Sequence, residues 1–175
     1  MEDIKKRMLS KIRTVPDFPQ KGILFYDIST LLLDPEGLQD ALNELEKGLA
    51  RSEFDLLAGI ESRGFIFGAA LADRLGKGFV LIRKEGKLPG LTHKYTYGLE
   101  YGEDTIEICD GAVREGSKIA LVDDLLATGG TARAAARLIE KCGGAVVHIQ
   151  FLIELSELNG CKQLEGYSVS SVIKI

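Results

Sequence analysis

The stretch Ile119-Ala-Leu-Val-Asp-Asp-Leu-Leu-Ala-Thr-Gly-Gly-Thr131 decides the fold of this chain. Its first four residues are apolar and indicate a buried strand, while the run from Thr131 to Lys141 predicts a helix. The strand therefore passes directly into a helix through a turn that contains Gly129 and Gly130. A buried strand that continues into a helix is half of a βαβ unit, and such units build parallel sheets.

The rest of the chain extends the same alternation. Further strands are predicted at Phe54–Ile60, Gly78–Ile82, Ile106–Cys109, Ala145–Ile153 and Val169–Ile175, and helices around Ile4–Ile12, from Pro35 onward and over Gly64–Leu75. We therefore predict an α/β fold with a mostly parallel central sheet flanked by helices, in a single domain of 175 residues. Ligands of such sheets bind beyond the carboxyl ends of the strands.

The turn after the central strand combines the groups that a ribose phosphate needs. Thr128 to Thr131 place backbone N–H groups at a helix N-terminus, where a phosphate is favoured. Asp123 and Asp124 are poor core residues unless they have partners, and the hydroxyls of a ribose could supply them. The alternative is an ordinary strand-to-helix turn with an exposed acidic pair. Neither a G-x-G-x-x-G fingerprint nor the lysine of a Walker loop is present.

The composition and charge of the chain limit the classes of partner that it can bind. The net charge is −4 with 27% charged residues, which does not favour a nucleic-acid-binding surface. No segment has the length and hydropathy of a membrane span, the N-terminus lacks an apolar signal region, and the cysteines form no C-x-x-C pair. We expect a cytoplasmic protein that binds neither nucleic acid nor membrane.

The run from Val122 to Thr131 resembles the phosphoribosyl pyrophosphate signature of the type I phosphoribosyltransferases, most of all their adenine-specific members. The resemblance covers nearly the whole chain, through Pro16–Pro19, Gly22–Ile28, Gly59–Phe65, Ile82–Gly90 and Leu99–Gly102. It implies the type I phosphoribosyltransferase fold with a small N-terminal hood that carries the base-binding segment, residues 1–34. It also implies a flexible catalytic loop over residues 84–104, where the sequence has several glycines and little core pattern.

The resemblance also assigns roles to individual residues. The phosphoribosyl group is expected at Asp123, Asp124, Ala127, Thr128, Gly129, Gly130 and Thr131. Pyrophosphate is expected at Glu61, Ser62, Arg63, Arg83, Lys87 and Tyr101, with a cis peptide between Glu61 and Ser62. Glu100 matches the catalytic acid/base of the family, and Tyr101 could shield the reacting carbon from water.

Leu24, Phe25 and Tyr26 match the adenine-binding segment of the family. Phe25 would stack on the purine, the Leu24 carbonyl would accept from the exocyclic amine, and the Tyr26 amide would donate to N1. A 6-oxo purine would set its own oxygen against the carbonyl and leave both acceptors unpaired. Some family members have arginine at the position of Tyr26, which leaves any role of that side chain unfilled.

The implied reaction transfers the phosphoribosyl group from phosphoribosyl pyrophosphate to adenine and yields AMP and pyrophosphate. Mg²⁺ is the implied cofactor, held through substrate and water without a dedicated protein site. The family also implies a homodimer. Two alternatives remain open, namely a phosphoribosyltransferase for hypoxanthine, guanine or xanthine, and a regulator that senses phosphoribosyl pyrophosphate.

Overall fold

The structure is a computed structural model that describes residues 2–98 and 102–175. The chain divides into two compact units, residues 1–45 and 46–175. No helix within the described ranges combines the length and the apolar character needed to cross a bilayer.

The N-terminal unit contains the predicted helix near the N-terminus and the start of the helix predicted from Pro35, together with two short strands and a short helix that were not predicted. Helix α1 (Glu2–Ser10) is followed by strands β1 (Arg13–Pro16) and β2 (Leu24–Asp27), helix α2 (Ser29–Leu33) and the start of helix α3 (Pro35–Leu49). The two strands pair antiparallel, with Val15 opposite Phe25. Each is four residues long, so neither shows enough alternation to be recognised in the sequence.

The larger unit is built on the predicted parallel sheet. Its further elements are β3 (Leu56–Ile60), α4 (Arg63–Leu75), β4 (Gly78–Lys84), β5 (Thr92–Gly98), β6 (Glu103–Cys109), β7 (Lys118–Leu126), α5 (Gly130–Lys141), β8 (Ala145–Glu154) and β9 (Val169–Lys174). The seven strands lie in the order β5-β6-β4-β3-β7-β8-β9. β4, β3, β7, β8 and β9 run parallel, whereas β5 and β6 pair antiparallel. The predicted fold class is confirmed.

Helices α4 and α5 cover opposite faces of the central strands. Ala58 and Ile60 of β3 belong to the buried cluster that includes the alanine-rich face of α5. Between them, Gly59 faces α4, because a Cβ there would lie 3.0 Å from the Gly64 carbonyl oxygen of that helix. Because side chains alternate along a strand, one apolar strand can hold both helices. β3 and β7 therefore deliver their carboxyl ends between two helix N-termini.

A flexible loop was predicted over residues 84–104, and in the structure regular strands occupy much of this segment. β4 extends to Lys84, β5 occupies Thr92–Gly98 and β6 begins at Glu103. Tyr95 and Tyr97 on one face of β5 pack against the core of the larger unit. The alternation of these tyrosines with Thr92, Lys94 and Thr96 favours a strand, a pattern that the charges and glycines obscured.

The turn between β7 and α5 is supported from behind by the chain after β8. Two short 3₁₀ helices, Ser156–Leu158 and Gly160–Leu164, follow this strand. The Leu155 amide donates to the Leu126 carbonyl at 2.9 Å. A Cβ on Gly160 would collide with the Ala127 carbonyl, and one on Gly129 would collide with the Gly160 carbonyl. The two backbones therefore touch, and glycine is required at both positions.

We predict that Gly160→Ala destabilises the protein by about 1 to 3 kcal/mol, because the added methyl forces the packed backbones apart. Gly130→Ala is the matched control, since nothing lies within 4 Å of the place that its Cβ would take. Urea unfolding curves would measure both variants. Equal midpoints for the two variants would contradict the proposed packing.

Candidate active site

A cavity of about 400 Å³ lies at the carboxyl ends of β3 and β7. Its walls include Glu61, Ser62, Arg63, Asp123, Asp124, Ala127, Thr128, Gly129, Gly130 and Thr131, together with Ile60, Lys84, Tyr97, Asp104, Ile106, Leu125, Leu126 and Ala132. The structure thus brings together every residue predicted for the phosphoribosyl group and three of those predicted for pyrophosphate.

A larger cleft, of about 550 Å³, lies at the amino ends of the same strands, next to Asp55, Lys77 and Lys118. It contains none of the predicted site residues. Ligands of parallel sheets bind at the carboxyl ends of the strands, so size alone does not identify the site. We take the smaller cavity as the candidate active site.

The turn from Ala127 to Thr131 presents a helix N-terminus to this cavity. Gly129 adopts a φ of +86°, in the left-handed region that favours glycine, and as the N-cap residue of α5 it has no side chain that could cap the helix. The first intrahelical bond runs from the Arg133 amide to the Gly129 carbonyl at 2.9 Å. The amides of the first turn have no intrahelical acceptor, and they form a group of donors suited to an anion.

The acidic pair lies at the end of β7 in a strongly desolvated position. Asp124 is only 4% exposed. Burial, and then the neighbouring Asp124 carboxylate, raise the pKa of Asp123 well above its usual value. Burial also raises the pKa of Asp124, although the Arg63 guanidinium opposes this. Two adjacent carboxylates without full solvation favour any ligand that can donate hydrogen bonds to them.

Arg63, at the start of α4, is turned toward the acidic pair. Its Nε lies 3.0 Å from Asp124 Oδ2, an oxygen that accepts no hydrogen bond from the residues that the structure describes. The contact is therefore an ion pair without the directed geometry of a hydrogen bond. Gly64 lets the start of α4 pack closely against β7, because a Cβ there would lie 2.8 Å from Asp123 Oδ1 and 3.0 Å from the Val122 carbonyl oxygen.

Glu61 organises the predicted pyrophosphate residues. Its carboxylate is 8% exposed and accepts from Arg83 Nε and Lys87 Nζ, both at 2.8 Å. Burial alone would raise the pKa of Glu61, but the hydrogen bonds from Lys87, Arg83 and the Lys84 backbone lower it below its usual value. The peptide bond between Glu61 and Ser62 is cis, as the resemblance implies. Arg83 and Lys87 do not line the cavity themselves and are linked to it through Glu61.

Glu107, on β6, is a supporting residue that the sequence analysis missed. It is 2% exposed, and it accepts hydrogen bonds from the amides of Lys87 and Leu88 at 3.0 Å and from the Thr92 hydroxyl at 3.1 Å. It thereby fixes the turn that carries Lys87. A single glutamate in a strand gave no sequence signal for this role, because its partners lie 15 to 20 residues away.

Three further polar residues of the cavity wall were not predicted. Lys84 Nζ lies 3.0 Å from Asp104 Oδ2, and Asp104 lies opposite Tyr97 in the pairing of β5 with β6. Tyr97 reaches the same cavity from β5. The alternation of Tyr95 and Tyr97 could have indicated a strand with a shared inward face.

The remaining predicted residues lie elsewhere. Glu100 and Tyr101 fall outside the described residues. Leu24, Phe25 and Tyr26 form β2 in the N-terminal unit, where the Phe25 ring packs edge-on against Phe18 with centroids 5.1 Å apart. Leu24 pairs with Pro16, which has no N–H, so this neighbour gives the Leu24 carbonyl no hydrogen-bond donor.

Comparison with known proteins gives the same family throughout. The model of the phosphoribosyl transferase domain matches residues 31–173. The adenine phosphoribosyltransferase of Christiangramia forsetii is 51% identical over 165 residues, which cover 94% of this chain and 96% of the relative.

Solved structures of adenine phosphoribosyltransferases are also similar to this chain. The crystal structure of adenine phosphoribosyltransferase from Thermoanaerobacter pseudethanolicus superposes with a TM-score of 0.95 at 51% identity, covering 97% of this chain and 99% of the other. The enzyme from Saccharomyces cerevisiae, complexed with adenine and an imino-altritol bisphosphate, gives a TM-score of 0.91 at 38% identity, covering 98% and 99%.

The family assignment has two kinds of support. The site has the acidic pair and the turn between β7 and α5, and the similarity to known proteins extends along nearly the entire chain. The chain belongs to the phosphoribosyl transferase domain family, and within it to the adenine phosphoribosyltransferases.

Proposed function

We propose that this protein transfers the phosphoribosyl group of phosphoribosyl pyrophosphate to adenine, forming AMP and pyrophosphate in purine salvage. The observation that carries this proposal is the cavity at the end of β7, where an acidic pair and an uncapped helix N-terminus lie a few residues apart. The relatives with about half of their residues identical are adenine phosphoribosyltransferases, and the yeast relative binds adenine.

The ribose phosphate half of the substrate is proposed to bind along this turn. The amides from Thr128 to Thr131 would hold the 5-phosphate, which matches the positive end of the helix dipole. The ribose 2′ and 3′ hydroxyls would donate to Asp123 and Asp124. These bonds would replace part of the solvation that the carboxylates lack in the folded chain.

The diphosphate is proposed to bind beside Glu61 and Ser62, where Arg63, Arg83 and Lys87 supply positive charge. In the structure these cations are paired with Glu61 or Asp124. The leaving diphosphate would compete for them as its negative charge develops, and fixed cations stabilise such charge strongly in a protein cleft.

Mg²⁺ is the proposed cofactor. Within residues 2–98 and 102–175, no three metal-binding side chains converge. The oxygen-rich acidic pair fits a hard cation that keeps most of its water and binds largely through the substrate's own oxygens. When bound, the ion would neutralise charge on the diphosphate.

The chemistry is proposed to be a displacement at the anomeric carbon. The purine N9 forms the new bond to C1′ while the bond from C1′ to the diphosphate oxygen breaks, and pyrophosphate leaves with that electron pair. Adenine must lose one proton, which Glu100 would accept from N7. Tyr101 would keep water away from C1′.

Selection of adenine is proposed to lie in β2. The Leu24 carbonyl would accept from the exocyclic amine, the Tyr26 amide would donate to N1, and Phe25 would stack on the ring. Pro16 opposite Leu24 supports the first of these contacts, because it does not donate to that carbonyl. We also propose a cytoplasmic location and a homodimer, as the family implies.

Two other activities compete with this proposal, namely transfer to a 6-oxo purine and sensing of phosphoribosyl pyrophosphate without turnover. Pyrophosphate release should be measured with adenine, hypoxanthine, guanine and xanthine at equal concentration. We predict release with adenine at least about tenfold faster than with any other base, because a mispaired polar group costs roughly 1 to 3 kcal/mol. A preference for hypoxanthine would remove the adenine assignment, and no release with any base would favour a sensor.

Glu100→Ala is predicted to lower kcat about 10²- to 10⁴-fold, because general base catalysis by a positioned carboxylate is worth that much. Steady-state kinetics with saturating adenine would measure the loss. Glu103→Ala is the control, since Glu103 is a nearby exposed carboxylate at the start of β6. If both variants turned over like the parent protein, the proton acceptor would have to be another group.

Asp123→Asn is predicted to stabilise the unliganded protein by about 0.5 to 2 kcal/mol near neutral pH and to weaken ribose 5-phosphate binding at least about tenfold. The amide removes a desolvated charge but keeps an oxygen for the Asp124 amide, which now donates to Asp123 Oδ1 at 2.9 Å. Asp73→Asn, which removes an exposed carboxylate on α4, is the control. Urea unfolding and calorimetry would measure the two effects.

The stability that Asp123→Asn gains over the parent protein should depend on pH. The raised pKa of Asp123 means that the folded chain holds this proton more tightly than the unfolded chain. The parent protein therefore loses stability as pH rises from the unfolded pKa toward the folded one. The advantage of Asp123→Asn should shrink as pH falls through that window, and a constant advantage down to pH about 3 would contradict the assignment.

A further inference from the structure

Tyr97 connects the β5–β6 hairpin to the turn between β7 and α5. Its ring is half-buried against the core of the larger unit, and the residue lines the cavity. The hydroxyl oxygen lies 3.2 Å from Thr131 Oγ1 and 3.4 Å from Asp104 Oδ2. These contacts join residues 34 positions apart in the chain.

A phenol has one proton, so it can donate to only one of these oxygens at a time. Asp104 Oδ2 already lies 3.0 Å from Lys84 Nζ, and the distance to Thr131 is the shorter of the two. Burial, opposed by the Thr131 hydrogen bond, raises the pKa of Tyr97. The phenol therefore stays protonated at neutral pH and remains a donor.

Thr131 has a hydroxyl that can accept one bond and donate another. If Tyr97 donates to its oxygen, the Thr131 proton cannot point toward Tyr97 and is available to an acceptor in the cavity. A donated bond also polarises the hydroxyl and strengthens its own donation. The acceptor that the adjoining helix N-terminus favours is a phosphate.

We propose that Tyr97 is a positioning residue for phosphate binding, which acts by donating to Thr131 Oγ1 and so directing the Thr131 hydroxyl toward the 5-phosphate. This inference rests on the proposed function, because it takes the turn after β7 as the phosphate site. The bond also ties β5, which ends two residues before the proposed catalytic Glu100, to the group that holds the phosphate.

The test is a double-mutant cycle on ribose 5-phosphate affinity, measured by calorimetry. Tyr97→Phe removes only the hydroxyl and should raise the Kd about 3- to 10-fold, the range expected for one hydrogen bond. Tyr95→Phe is the matched control, since Tyr95 lies on the same face of β5 and its hydroxyl hydrogen bonds with none of the described residues. Its Kd should equal that of the parent protein, and the KM for adenine should be unchanged in both variants.

The cycle separates positioning from general loosening of the fold. In a Thr131→Val background, Tyr97→Phe should have no further effect, because the hydroxyl through which it acts is gone. In a Thr131→Ser background, which keeps that hydroxyl, Tyr97→Phe should again raise the Kd about 3- to 10-fold. A purely structural role for Tyr97 would give the same loss in both backgrounds.

The outcomes are distinguishable. Equal affinities for Tyr97→Phe and Tyr95→Phe, or additive effects of Tyr97→Phe and Thr131→Val, would overturn the inference while the proposed function stood. Failure of the parent protein to bind ribose 5-phosphate would overturn both.

Discussion

The rest of the site depends on two adjacent carboxylates that a buried strand carries to its end. Asp123 and Asp124 lie near the carboxyl end of β7, after four residues that have no exposed surface, and the desolvation raises the pKa of both. Arg63 forms an ion pair with Asp124, and the start of α4 packs closely against Asp123 because Gly64 has no side chain. The folded chain thus keeps two carboxylates in a poorly solvated position, which costs stability. A ribose that donates hydrogen bonds to them would offset that loss of solvation.

The neighbouring charges follow from the same constraint. Asp124 holds Arg63, and Glu61 holds Arg83 and Lys87, so the cations proposed to meet the diphosphate are already paired before it arrives. Glu107 holds the backbone that carries Lys87. The turn that faces these groups is closely packed on its other side, because the backbones of Gly129 and Gly160 touch there. The acidic residues, the cations paired with them and the amides of the turn therefore lie close together at the carboxyl ends of neighbouring strands.

The sequence predicted the parts of the molecule in which local pattern and tertiary structure agree. The apolar runs of β3, β7 and β8 and the glycine turn before α5 are visible without coordinates, because buried parallel strands are continuously apolar. It failed for β1, β2 and β5, which are short or carry charged and aromatic residues in alternation. Supporting residues such as Glu107, Gly160 and Tyr97 could not be found in the sequence, since each acts on a partner 15 or more positions away.

The central claim is that the carboxyl end of β7 holds a ribose phosphate. A crystal structure of the protein with phosphoribosyl pyrophosphate and Mg²⁺ tests it most directly. We predict that the 5-phosphate lies within hydrogen-bond distance of the amides from Thr128 to Thr131 and that the ribose hydroxyls donate to Asp123 and Asp124. A phosphate bound instead in the cleft beside Lys77 and Lys118, or a ribose without contact to either carboxylate, would contradict the account.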